Sequence, residues 1–130
     1  MIVVLDASAG IEIALSRIDA MKYETIITNA SKVISSDLYK AEVANVLWKY
    51  HKSGLLNKNE VTQRLHYCTE LVDEFIDIDE KNEEALNEGI RIDHSIYDLL
   101  YLTLARRNGA ILLTQDKKLK NIAKENGIDT

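Results

Sequence analysis

This sequence predicts an α/β fold built on a central parallel sheet, and three observations carry the prediction. Four short apolar runs, "IVVL" (2–5), "KVIS" (32–35), "FIDI" (75–78) and "AILL" (110–113), read as buried strands. Stretches with helical spacing separate them, and such alternation implies parallel strands covered by helices on both faces. The chain has no proline and only five glycines, which points to a helix-rich molecule with short connections.

The elements follow in order. The first strand runs straight into Asp6, two residues before Ser8, and either residue suits the N-cap of a following helix. A helix over 38–53 is stopped by Gly54, and Asn57 to Glu60 carries the signature of the next helix start. A further helix spans about 80–92, and another runs from Ser95 until Gly109 closes it. The last covers about 116–126 and ends at Gly127. There is no linker, repeat or low-complexity segment, so 1–130 reads as a single domain, long enough for a real core.

Composition narrows the function classes. Hydrophobic residues at 46% and charged residues at 28% are ordinary for a soluble protein. The run "IVVL" is too short for a signal-peptide core, and no apolar stretch approaches the roughly 20 residues that cross a membrane. The single cysteine, Cys68, forms no internal disulfide, and a cytoplasmic location is expected. A formal net charge of -5 argues against coating nucleic acid by overall charge, though not against a nuclease with an acidic metal site. The three histidines show no shared ligand spacing, and one cysteine excludes a cysteine-based zinc site.

In open parallel sheets, ligands bind beyond the carboxyl ends of the strands, so residues that follow strands matter most. Asp6 follows the first strand and Asp116 follows "AILLT" through Gln115; each also suits a helix cap. Asp98 lies in "IYDLLYLTLA", a segment apolar nearly all round. Ser95 and Asp98 form a capping-box pattern, yet a charge in a buried helix must still be paired or bind a metal. Glu42 shares a narrow polar strip with Asn45 and Lys49 on a helix whose remaining positions are largely apolar, including Ala41, Ala44 and Trp48. Tyr39, Trp48 and Tyr50 could stack on bases or meet a second copy, but core packing is the simpler expectation.

These four carboxylates can converge on one rim of the sheet. Crowded together they would repel, and a cation would relieve the repulsion. An oxygen-only ligand set selects Mg²⁺ or Mn²⁺, and such ions suit phosphodiester hydrolysis by a metal-activated water. Lys117, Lys118 and Lys120 after Asp116, with Arg106 and Arg107 at the end of the preceding helix, are candidate contacts to substrate phosphates, RNA phosphates if the resemblance described next holds. Arginines at a helix C-terminus also suit the helix dipole.

With those residues in place the chain resembles the PIN-domain family, specifically the VapC-type toxin ribonucleases of toxin–antitoxin pairs. The resemblance rests on "VVLDAS", "AEVANVLWK", "SIYDLLYLTLARRNGAILLT" and "TQDKKL", in that order along nearly the whole chain. It implies a three-layer fold with a parallel sheet of four or five short strands. It also implies that Asp6, Glu42, Asp98 and Asp116 form the catalytic metal site, with Ser8 and Thr114 supporting the carboxylates and Asn45 beside Glu42. Mg²⁺- or Mn²⁺-dependent RNA cleavage, a homodimer and inhibition by a small antitoxin follow from the same resemblance. Two departures concern the edges: the chain stops at "GIDT", so a final strand is expected to be vestigial, and Ser36 stands where proline is common. The alternative is a catalytically inactive PIN-fold module that binds RNA or protein. Aspartyl-phosphate phosphotransferases are set aside, because Ser8 occupies the place of their second Asp.

Overall fold

The computed structural model describes residues 1–79 and 81–130. Strand β1 (Ile2–Leu5) has three fully buried residues, Val3, Val4 and Leu5, as a strand covered on both faces must. It pairs in parallel with β2 (Lys32–Ser36) on one side and β4 (Ile111–Leu113) on the other. β3 (Glu74–Ile76) adds to β2, giving the order β3-β2-β1-β4. The chain therefore lays strands outward from β1 in one direction and then returns to its opposite side. The carboxyl ends of β1 and β4 flank that switch point, where open parallel sheets leave a crevice.

Side-chain alternation sorts the core into two layers. Val3, Leu5, Val33 and Leu113 pack with α1 (Ala7–Ala14), α2 (Ala20–Asn29), α3 (Tyr39–Lys52) and α4 (Lys58–Glu70). Val4, Ile34 and Leu112 face α5 (Asn82–Ile92), α6 (Ile96–Asn108) and α7 (Lys117–Glu125). Seven helices among the described residues thus sandwich a four-stranded sheet. Burying a side chain such as Leu99 or Leu102 completely stabilises this second layer by about 1.5–3 kcal/mol each.

Two close approaches position the helices that bear the acidic residues. A Cβ on Gly10 of α1 would lie 2.4 Å from the Tyr39 hydroxyl, which is itself tied to the Cys68 carbonyl at 2.7 Å. Glycine therefore lets the start of α1 lie against the start of α3. At Gly89 of α5 a Cβ would stand 2.6 Å from Ile96 Cδ1 and 3.2 Å from the His94 carbonyl, so glycine keeps the α5–α6 turn tight.

Most expected elements are present, with local differences. The region 7–31 splits into α1 and α2 because Ser16 turns left-handed at φ 51°, and the buried Glu12 carboxylate then accepts the Asp19 N–H at 3.2 Å. β3 stops at Ile76 because the Asp77 carboxylate takes the Asp79 N–H at 2.9 Å in a local turn. β4 starts at Ile111 because the Ala110 N–H still caps α6, donating to the Ala105 carbonyl at 2.9 Å. The expected helix over about 80–92 is observed from Asn82, and Glu80 lies outside the described residues. The Asn57–Glu60 capping box forms with both bonds, and Gly109 and Gly127 close α6 and α7 with positive φ. At the open edge of β4 the Leu112 N–H donates to the Asp129 carbonyl at 2.8 Å, but no fifth strand forms among the described residues. Ser36, in the place where proline is common, uses its hydroxyl to accept the Leu38 N–H ahead of α3.

One packing expectation is corrected. Tyr39 is fully buried, but Ala41 and Ala44 are exposed and Trp48 is 55% exposed. α3 and α4 leave an apolar groove between them at the surface, lined by Leu47, Trp48, Val61 and Leu65, and Trp48 stands at its rim rather than in the core.

Candidate active site

Asp6 leaves β1 directly into the crevice, anchored by its own N–H donating to the Leu113 carbonyl at 3.1 Å. It is the N-cap of α1, with Oδ1 accepting the Ala9 N–H at 2.9 Å and the Ser8 hydroxyl at 2.6 Å. Asp116 caps α7 in the same manner, its Oδ1 accepting the Lys118 and Leu119 N–H groups at 2.9 and 3.1 Å. The capping role is therefore real at both positions. It does not compete with ligand binding, because all these cap bonds fall on one oxygen of each carboxylate.

Ser8 and Thr114 lace the two strand ends together. The Ser8 proton goes to Asp6, so its oxygen is free to accept the Gln115 N–H at 2.9 Å. Thr114, fully buried, accepts the Asp116 N–H on Oγ1 at 3.1 Å and lies 3.3 Å from Ser8 Oγ. Its carbonyl accepts the Tyr23 hydroxyl at 2.9 Å, and Tyr23 also meets Gln115. These bonds link the Asp6 and Asp116 turns rigidly.

Glu42 and Asp98 approach from opposite layers. Glu42, in the first turn of α3, accepts the Tyr101 hydroxyl of α6 on Oε1 at 2.6 Å. Asp98, in the first turn of α6, does not form the capping box its spacing suggests, since Ser95 makes no side-chain cap bond. Instead Asp98 Oδ2 lies 2.9 Å from His94 Nε2.

The electrostatics place Asp98 at the centre. Burial pushes the Asp6 carboxyl up to about 6; bonds from Ser8, Thr114 and Ala9 pull the other way, and the Asp98 charge raises it further. The Glu42 carboxyl is also raised, chiefly by burial and in part by Asp98, against the Tyr101 hydrogen bond. The Tyr101 phenol is raised in turn by its burial and by Glu42. Among the described residues no basic side chain is among the groups that shift Asp6 or Glu42, so a cation would stabilise the ionised forms of both. Ligand atoms of His94, Asp98 and Asp116 all lie within 4.8 Å of one another, close enough to share one ion. This donor set fits a divalent cation.

A PIN-domain family model matches residues 3–125. The chain is 30% identical over 124 residues, 92% of each sequence, to Ribonuclease VapC3 of Pyrobaculum aerophilum. The chain is a PIN-domain protein of the VapC type. Its fold also resembles the crystal structure of PAE2754 from Pyrobaculum aerophilum, with a TM-score of 0.72 at 24% identity, over 90% of this chain and 81% of that one.

Within this PIN domain not every expected residue reaches the rim. Asn45 is exposed one turn along α3 from Glu42. Lys117 and Lys118 are exposed directly after Asp116, whereas Lys120 turns toward a small cleft with Lys22, Lys124 and Thr114. Arg106 and Arg107 stand eight and nine residues beyond Asp98 on the same helix, about 12 Å away at 1.5 Å per residue. They are paired with α5 instead: Arg107 Nη2 lies 2.6 Å from Glu84, and Arg106 meets both Glu84 and Glu88. They serve the α5–α6 contact rather than the rim. Two residues of this PIN rim were not anticipated. Tyr101 is brought to Glu42 only by the tertiary fold. His94 had a local signal, its four-residue spacing to Asp98, although the three histidines share no ligand spacing among themselves.

Proposed function

We propose that the protein is the toxin endoribonuclease of a VapBC-type pair, hydrolysing RNA phosphodiester bonds with Mg²⁺ or Mn²⁺ held by Asp6, Glu42, Asp98 and Asp116. One observation carries the reading: the carboxylates of Asp6, Glu42 and Asp116 gather around Asp98 at the switch point of a parallel sheet. When bound, a divalent ion supplies Lewis acidity, favouring deprotonation of water and stabilising charge that develops on the phosphate. The chain's own residues do the positioning. Ser8 and Thr114 hold Asp6 and the Asp116 turn, and Tyr101 holds Glu42. Lys117 and Lys118 offer exposed cations beside Asp116 to a phosphate backbone, giving salt-sensitive binding.

The partners in this reading are RNA, a small antitoxin and a second copy of the chain, in the cytoplasm. In this reading the exposed Trp48 and the apolar groove between α3 and α4 are the face a second copy would cover. No helix among the described residues is long and apolar enough to cross a membrane. The inactive-module alternative is disfavoured because all four acids are present, with Asp6, Glu42 and Asp116 near Asp98.

The test is cleavage of total cellular RNA by purified protein with Mg²⁺, with Mn²⁺ and with chelator. Wild-type protein cuts only with the ion present, and Asp98→Asn, still folded, does not. Equal cleavage by Asp98→Asn, or cleavage undiminished by chelator, would contradict the assignment.

A further inference from the structure

The acidic rim contains one nitrogen donor that an all-oxygen site does not need. The His94 side chain is only 6% exposed, and its Nε2 is turned onto Asp98. Asp98, 27% exposed, presents Oδ2 to it at 2.9 Å. An ordinary i,i+4 pair on a helix surface would leave both groups in water. Here the imidazole is packed inward, and a carboxylate oxygen of Asp116 lies within 4.8 Å of donor atoms of both His94 and Asp98. His94 itself is set by the α5–α6 turn: Asp93 is left-handed at φ 59°, the His94 N–H donates to the Gly89 carbonyl at 3.3 Å, and Gly89 admits the close return.

The spacing suits coordination. Two donors bound side by side to one ion, with bonds of about 2.1 Å, stand about 3.0 Å apart. The observed 2.9 Å between Nε2 and Oδ2 matches that edge, and the 4.8 Å limit on all three donors needs only a slight inward closure. A neutral imidazole with its proton on Nδ1 leaves the Nε2 lone pair for the ion.

Resting on the divalent-ion site described above, we propose that His94 is a direct nitrogen ligand to the ion shared by Asp98 and Asp116, and that it shifts the site's preference from Mg²⁺ toward Mn²⁺. Mg²⁺ takes oxygen ligands and keeps its waters, whereas Mn²⁺, although the weakest nitrogen binder of the divalent first-row series, accepts an imidazole among carboxylates more readily than Mg²⁺ does. The four acids would make a site open to either ion; His94 supplies the discrimination. It acts on which metal the protein selects, not on the bond being cut.

The experiment is Mn²⁺ titration of the purified full chain followed by electron paramagnetic resonance, with Mg²⁺ as competitor and no RNA present. Pulsed measurements on the Mn²⁺-loaded wild type should show the hyperfine coupling of a directly bound imidazole nitrogen. His94→Gln should lose that coupling and bind Mn²⁺ about 10–100-fold more weakly, with a smaller loss for Mg²⁺. Mn²⁺ bound by wild type without nitrogen coupling would overturn the proposal while leaving the acidic site standing, and this outcome does not depend on how well the variant folds. Equal losses for both ions in His94→Gln would overturn the claim of selectivity. Wild-type protein that binds no Mn²⁺ or Mg²⁺ at all would remove the ion site itself, and the proposal with it.

Discussion

The two ends of helix α6 carry charge clusters built on opposite plans. At its last turn, Arg106 and Arg107 meet Glu84 and Glu88, two positive groups against two negative ones. Burial would raise the Glu88 carboxyl, but the hydrogen bond from Arg91 and the charge of Arg106 outweigh it and hold it below the usual range. At the first turn, Asp98 faces Asp6, Glu42 and Asp116, and burial with mutual repulsion raises Asp6 and Glu42. The chain answers that repulsion with hydrogen bonds from Ser8, Thr114 and Tyr101 but, among the described residues, with no basic side chain on Asp6 or Glu42. The contrast teaches that the far cluster balances itself, whereas the rim gathers like charges that the proposed divalent ion would balance. Burying like charges without such a partner costs stability.

Substitutions can break or sharpen that contrast. The largest effect is expected from Asp98→Asn, which should lower Mg²⁺-dependent RNA cleavage about a thousandfold, several kcal/mol of lost charge stabilisation, in a gel assay of total RNA. Next, Asp6→Asn should stabilise the metal-free protein by on the order of 2–3 kcal/mol at pH 7.5 while abolishing cleavage, because Asn keeps the N-cap and removes a buried charge. The direction with pH follows from the raised carboxyl of Asp6. Between its ordinary value of 3.8 and about 6, the folded chain binds this proton more tightly than the unfolded chain, so the group costs stability progressively as pH rises through that window. Urea unfolding in chelator should therefore show the Asp6→Asn advantage at pH 7.5 shrinking toward pH 4. An advantage that is independent of pH would contradict the linkage.

Tyr101→Phe comes third. It removes the 2.6 Å bond to the Glu42 carboxylate, with an expected loss of about 1.5–3 kcal/mol in the same unfolding assay. The smallest effect belongs to the balanced cluster. Glu84→Gln should change stability by no more than about 1 kcal/mol, since its partners are substantially exposed, and should leave cleavage unchanged. Loss of cleavage in Glu84→Gln would erase the distinction between the two ends of the helix.

What the sequence made legible were features written locally. The Asn57–Glu60 capping box, the closing glycines 109 and 127, and the strand-to-Asp6 transition each depend on a few neighbouring residues and appear as expected. The break at Ser16 was not legible, because nothing in a serine marks a left-handed backbone. Tyr101 against Glu42 joins residues 59 apart from opposite layers of the sandwich, beyond any periodicity. The Ser95–Asp98 pattern misled because the same carboxylate had a second local partner four residues upstream, His94, and the tight turn at Gly89 decided between them. The exposed side of α3 was hidden for another reason. Apolar composition says that Ala41, Ala44 and Trp48 want cover, not that this chain alone supplies it.

Thermal unfolding with and without divalent ion, compared in wild type and Asp98→Asn, tests the neutralised-rim account most directly. Mg²⁺ or Mn²⁺ at millimolar concentration should raise the wild-type midpoint, because an ion that binds only the folded rim stabilises it by mass action. The same addition should leave Asp98→Asn unmoved. A wild-type midpoint indifferent to divalent ion, or an equal rise in Asp98→Asn, would contradict the account.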